Sequence, residues 1–249
     1  MVCPVIFPLQ LPIQLLLAAL LVSPGIPAGT VLPITLGTTL DAKKDKPGQK
    51  LDGRLMEEVA LSGGARFKRG ARVSGHVVEV TRLPGGGSRL VLKFDQIEGD
   101  GQNSPLNVSV RAIADSQSVY HAHIPIDASS NYESENMWVV RQVGGDIVNR
   151  GRRIVASGDA IVGRWDGTVW AKLAYVPGCP PRDLPKDEQP MWVFSVNACG
   201  VYGEPDIKLT SAGNAEPAGQ IVLESPKDAK LGGGSGWLLV SNGAATSVQ

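Results

Sequence analysis

The chain has 249 residues, with 24 basic and 24 acidic side chains and a formal charge of zero. That balance, with no basic stripe, excludes the electrostatic footprint of a nucleic-acid binder, so no nucleic-acid partner is expected. A chain of this length can bury one large β core or two smaller ones.

Residues 1–25 carry no charged side chain, and an apolar run from Leu15 to Val22 ends at the turn formers Ser23, Pro24 and Gly25. The run is shorter than the ~20 apolar residues that span a bilayer, and Pro4, Pro8 and Pro12 interrupt its approach. It reads as an export signal peptide cut after Gly25 or Ala28, with an uncleaved signal as the only expected membrane contact. Either way the rest of the chain is expected in the periplasm, in the cell envelope or secreted. Losing the leader removes Cys3 and leaves Cys179 and Cys199. An even pair in an exported protein predicts a disulfide, which for a loop of this size contributes about 3 kcal/mol.

From residue 26 onward strand patterns recur and helical ones are nearly absent. Thr30 to Leu36, Arg54 to Leu61 and Arg72 to Thr81 are the first runs. Leu90, Leu92 and Phe94 alternate with Arg89, Lys93 and Asp95, and Val108, Val110 and Ala112 alternate with Asn107, Ser109 and Arg111. A period of two predicts half-buried antiparallel strands, with Arg111 on the watered face. Further runs occupy Met137 to Val143, Ile161 to Trp165, Thr168 to Val176, Met191 to Val196, Gln220 to Leu223 and Trp237 to Val240. Glycine-rich Pro84 to Gly87 and the pair Asp166-Gly167 read as hairpin turns. Gly232 to Gly234 is followed by neither G-K-[ST] nor a helix pattern, which argues against a phosphate cradle. Residues 115–135 lack periodicity and read as a linker between a β-barrel-like domain, 26–114, and a second β lobe, 136–249. The expected fold is all-β, an antiparallel β-barrel or sandwich in two lobes.

Gly29-Thr30-Val31-Leu32-Pro33-Ile34-Thr35-Leu36, then Thr39-Leu40-Asp41, Lys46-Pro47-Gly48-Gln49 and Phe67 to Gly75, resemble the opening and strand entry of the C-terminal β-domain of TrbI-like conjugation-channel proteins. The resemblance runs from Gly29 to about Ala114 and implies a β-barrel-like envelope domain. The later half resembles uncharacterised exported bacterial β-proteins. Its distinctive stretches are Gln142-Val143-Gly144-Gly145-Asp146 and Trp192 to Gly200.

Candidate chemistry is sparse. His121 and His123 in an H-x-H pattern would share one face of a strand, with Asp115 or Asp127 adding oxygen, but His76 is the only further imidazole, and no metal site is expected. Ser157 lacks the flanking glycines of a nucleophile elbow and reads as a turn or strand serine. Asp146 and Asp159 follow glycines and read as turn residues; brought together they could serve acid and base chemistry. Trp138, Trp165, Trp170, Trp192 and Trp237, with Tyr175 and Tyr202, could stack on sugars, form an interface or fill a core. No cofactor motif is present. The sequence points to an exported envelope structural or interaction module without catalytic activity, whose partner is an envelope protein or polysaccharide. A carbohydrate-binding module and a hydrolase acting on cell-wall polymers are the competing classes.

Overall fold

The computed structural model describes residues 25–61, 64–126, 138–210 and 219–243. The leader through residue 24 and the candidate ligand Asp127 lie outside them. Among the described residues no helix is long and apolar enough to cross a membrane.

The described chain is all-β and sandwich-like, as its alternation predicts, with antiparallel pairing dominating two main sheets. The larger sheet has ten strands. Its order is Gly200–Tyr202, Val108–Ala114, Ser235–Ser241, Val31–Leu36, Lys50–Leu55, Arg72–Arg82, Ser88–Gly99, Gln220–Ser225 and Lys208–Leu209, with Gln102–Pro105 paired to the far end of Ser88–Gly99. Only residues 203–207 separate the two edge strands in the chain, a reach of at most about 20 Å, so the sheet must curl back on itself. It does not close into a barrel. Bulges after Ser74 and Val77 bend the long central pair, because an extra residue on one strand increases the local twist. Gly75 sits at this bend, where a Cβ would collide with the Lys93 carbonyl oxygen.

Inside the curl lies one apolar core that includes Leu32, Ile34, Phe94, Ile113 and Trp237. Trp237 is fully buried and meets Phe94 edge to face at 5.9 Å. Its indole N–H donates to Ser235 Oγ at 3.0 Å, which satisfies the one polar atom of the ring.

The second sheet is a six-stranded meander: Val139–Arg141, Ile147–Asn149, Ile154–Ser157, Ala160–Trp165, Val169–Ala171 and Gln189–Pro190. Val140, Val148, Val155, Gly163 and Ala171 stand in register across it. The apolar residues of this row pack toward Val31, Ala112, Ala114, Leu238 and Val240 on the outer face of the large sheet. Sheet membership therefore does not follow the sequence division at 115–135. Strands Gln220–Ser225 and Ser235–Ser241 come from the later half and pair with strands of the first. Within the expected linker, Ser116–His121 forms a short α-helix whose first turn is capped by Asp115, its carboxylate accepting from the Ser118 N–H at 2.7 Å.

Two local expectations are corrected. Met191 to Val196 is a buried irregular segment rather than a strand, touching a ladder only at the isolated Val143–Phe194 bridge. Its backbone groups are divided among several segments and side chains rather than one ladder: the Met191 N–H donates to the Val169 carbonyl, and Val193 and Ser195 bond Val143. The Trp192 and Phe194 carbonyls accept from Gln142 Nε2, and the Val196 N–H donates to Asp146 Oδ2. Arg111, expected in water, is fully buried. A bulge in the pairing with Ser235–Ser241 makes Arg111 the extra residue between Val110 and Ala112, and the face it reaches is covered by residues 174–198.

Candidate functional site

The site is framed by the way the covering layer is fastened. The Arg111 guanidinium donates to four carbonyls: Ala198 at 2.9 Å, Pro180 at 2.7 Å, Ala174 at 2.8 Å and Val196 at 3.1 Å. Burial pulls this guanidinium down to about 10, with Tyr202 opposing the shift, so it remains charged at neutral pH. Cys179 and Cys199 are joined by a disulfide with Cα atoms 6.1 Å apart, within the span such a bond bridges. Pro180 and Ala198, next to the two cysteines, are both Arg111 acceptors. Clamp and bridge therefore hold the same loop.

Facing the layer so held is a cleft of about 180 Å³, lined by Glu57, Arg69, His123, Gln142, Arg150, Trp165, Thr168 and Trp192 among others. Burial pushes the Glu57 carboxyl up, against the pull of the Thr168 hydroxyl and Arg69; Asp166 adds to the push and His123 opposes it. Gln142 is only 4% exposed. Its Nε2 is committed to the Trp192 and Phe194 carbonyls at 3.1 and 2.7 Å, and its Oε1 has no partner. A buried acceptor left open in this way costs about 1 to 3 kcal/mol unless something donates to it. Arg150 Nε is a second buried atom without a partner. Trp192 holds a φ of 51°, a left-handed conformation that a bulky side chain rarely adopts. Next to this cleft is a shallower groove of about 400 Å³, lined by Arg54, Lys68, Arg69 and Arg72 with Glu98 and Asp100. Arg69 belongs to both.

The residues singled out from sequence are dispersed. His121 ends the helix and His123 lies in the turn after it, both exposed, so the shared strand face that H-x-H would give does not form. His123 Nδ1 lies 2.8 Å from the Val119 carbonyl oxygen and its ring 6.0 Å from that of Trp192. His76 is elsewhere, with Nδ1 2.6 Å from Asp95 Oδ2. Among the described residues no group of three or more His, Cys, Asp or Glu could hold a metal ion. Ser157 Oγ accepts from Asn197 Nδ2 at 3.1 Å. Asp146 is buried against the Val196 N–H, whereas Asp159 is exposed in a hairpin turn.

The five tryptophans share no face. Trp237 fills the curled core, Trp165 and Trp192 line the cleft, Trp170 lies beneath the Arg164 guanidinium at 5.5 Å, and Trp138 is 57% exposed. Tyr175 is exposed, and Tyr202 accepts from the Cys199 N–H. The structure does bring together the two stretches that stood out in the later half, since Gln142 and Asp146 bind the segment from Trp192 to Val196. Glu57 and Arg69 carried no motif, and Gln142 stood out only as part of a distinctive stretch; the cleft gathers the three from places far apart in sequence. No protein-family model matches the chain, and no curated protein matches it.

Proposed function

We propose that the chain is an exported envelope module that binds its partner without chemically altering it. The observation that carries this reading is the composition of the cleft: one carboxyl, Glu57, set among Arg69, Arg150 and an open Gln142 acceptor. Hydrolysis of a glycosidic bond uses two carboxyl groups flanking it; Asp166, the carboxylate near enough to act on Glu57, is paired with Arg164, and Asp146 and Asp159 are held outside the cleft. The apolar leader pattern and the TrbI-like pattern of Gly29 to Ala114 favour a place in the envelope. The Cys179–Cys199 bridge favours an oxidising compartment.

Cell fractionation followed by N-terminal sequencing tests the proposal. The expected product is found in the envelope or periplasmic fraction and begins between residues 26 and 29. A chain with intact Met1 and two free thiols in the cytosol overturns it.

A further inference from the structure

Resting on that binding role, we propose that the basic groove beside the cleft is a phosphate site, which takes a phosphate monoester of the envelope through Arg54, Arg69 and Arg72. All four cations of the groove, these three and Lys68, are exposed, so each can reach a ligand. The opening of about 400 Å³ falls within the ~300 to 1,000 Å³ typical of ligand sites.

Arg54 and Arg72 stand directly opposite each other on Lys50–Leu55 and Arg72–Arg82. Like charges in that position destabilise a strand pair. Asp52 relieves one of them, its Oδ1 lying 2.5 Å from Arg72 Nε. Arg54 has no ion pair within 4 Å among the described residues; its Nη1 donates to the Gly70 carbonyl at 3.3 Å. Natural sequences break such a local rule chiefly at functional positions. Guanidiniums set out from Cβ atoms about 5 Å apart can converge on one tetrahedral anion, which turns their repulsion into a shared attraction.

The turn that completes the groove is fastened beside them. The Gly70 N–H donates to the Leu55 carbonyl at 2.7 Å, and the Leu55 N–H donates to the Ala71 carbonyl at 2.8 Å. Gly70 holds a φ of 90°, which glycine adopts without strain. These bonds bring Lys68 and Arg69 to the strand end that carries Arg54. Lys68 meets Asp100 at 3.3 Å, but both side chains are exposed, and a pair of this kind contributes too little to resist a competing anion. Arg69 has no ion pair within 4 Å among the described residues and acts on Glu57 only at longer range.

The donor set favours phosphate over carboxylate. Four cations against the carboxylates of Asp52, Glu98 and Asp100 leave the groove positive. Three of the four are arginines, whose planar forks match phosphate oxygens. Three guanidiniums offer more donors than the two oxygens of a carboxylate can take, whereas a phosphate monoester presents three terminal oxygens and more than one negative charge at neutral pH.

The test combines thermal melting with calorimetric titration of the purified exported chain in low-salt buffer. The probes are glycerol phosphate, acetate, a single-stranded oligonucleotide, and phosphatidylcholine vesicles with and without phosphatidic acid. A phosphate source should raise the melting temperature, because a ligand of the folded state stabilises it, and should bind at least tenfold more tightly than acetate. Arg54→Gln gives a sign that a merely structural role would not. Without ligand it should melt no lower than the native chain, since it removes the facing like charge, yet it should bind phosphate at least fivefold more weakly. Arg69→Gln should weaken binding to a similar degree, and Lys208→Gln, outside the groove, should leave it unchanged. A response to the free ester assigns the site to a soluble phosphate; a response only to vesicles with phosphatidic acid assigns it to a lipid headgroup. Equal binding of acetate, tighter binding of the oligonucleotide, full affinity in both arginine variants, or no response to either phosphate source overturns the proposal. A chain that fractionates with the envelope yet answers to no phosphate fails this inference alone, whereas a chain retained in the cytosol fails the function proposed above.

Discussion

Inside the curled sheet, Trp237, Phe94 and their aliphatic neighbours pack with their polar atoms already satisfied. Against the outer face of the same sheet, the covering layer offers mainly valine and alanine, and its strongest fastenings are directed: the four bonds of Arg111, the two of Gln142 and the Asp146 cap on Val196. Burial of apolar surface is strong but non-directional. Bonds to particular carbonyls contribute about 1 kcal/mol each, more when charged, and fix position. The inner core therefore sets whether the molecule folds, while the polar fastenings set where residues 174–198 sit and hence the shape of the cleft.

The sharpest way to break this contrast begins in the core. Trp237→Ala should cost about 3 to 5 kcal/mol and lower the whole unfolding transition in urea, with every probe moving together. A transition that splits, with the second sheet persisting, would mean that the outer layer does not depend on the inner one. Arg111→Met is expected to cost about 3 kcal/mol, because it leaves the Ala198, Pro180 and Ala174 carbonyls without donors, while Val196 keeps only the Ala174 N–H. Its signature is local: hydrogen exchange should rise in residues 174–198 before it rises in the curled sheet. Arg111→Lys should not restore the protection, since an ammonium cannot span four acceptors laid out for a planar fork.

The inner layer was legible because its strands follow one simple rule. Leu90, Leu92 and Phe94 alternate in sequence, and all three point into the core. The outer layer breaks that rule at identifiable atoms. A single bulge moves Arg111 out of step, and the only trace in the sequence is the arginine's position inside Val110 to Ala114, a run too apolar for a half-wet strand. The apolar run of Met191 to Val196 looks like a strand because its burial is real, but its hydrogen bonds are split among the Val143, Val169 and Ala174 backbones and the side chains of Gln142 and Asp146 instead of forming one ladder. The cleft follows from those same distant bonds, so local pattern carried no sign of Glu57 or Arg69 as its members.

Replacing Cys179 and Cys199 together by serine sharpens the comparison further. The bridge spans a sequence separation of 20, and its loss should cost about 2 to 3 kcal/mol. Because Pro180 and Ala198 accept from Arg111, the bridge and the clamp restrain one loop, and combining their removal should cost measurably less than the two separate losses added. Strict additivity in a double-mutant cycle would show that the two act on different parts of the layer.

The smallest effect is expected in the cleft itself, at Glu57. Burial raises this carboxyl above its ordinary value of 4.5, with Asp166 adding to the shift and Thr168, Arg69 and His123 opposing it. The folded state therefore holds the proton more tightly than the unfolded chain. Its contribution to stability is whole below about pH 4.5 and is lost as pH rises through the folded value. Glu57→Gln mimics the protonated form, so the variant should melt above the native protein at neutral pH and converge with it as pH falls below 4.5. The side chain is partly open to solvent, which keeps the expected gain below about 3 °C. Thermal scans at several pH values, run on both proteins side by side, decide the point. A variant that melts lower at neutral pH would mean that the Glu57 charge is held by Arg69 more strongly than burial opposes it, and the cleft would then be an ion-paired seam.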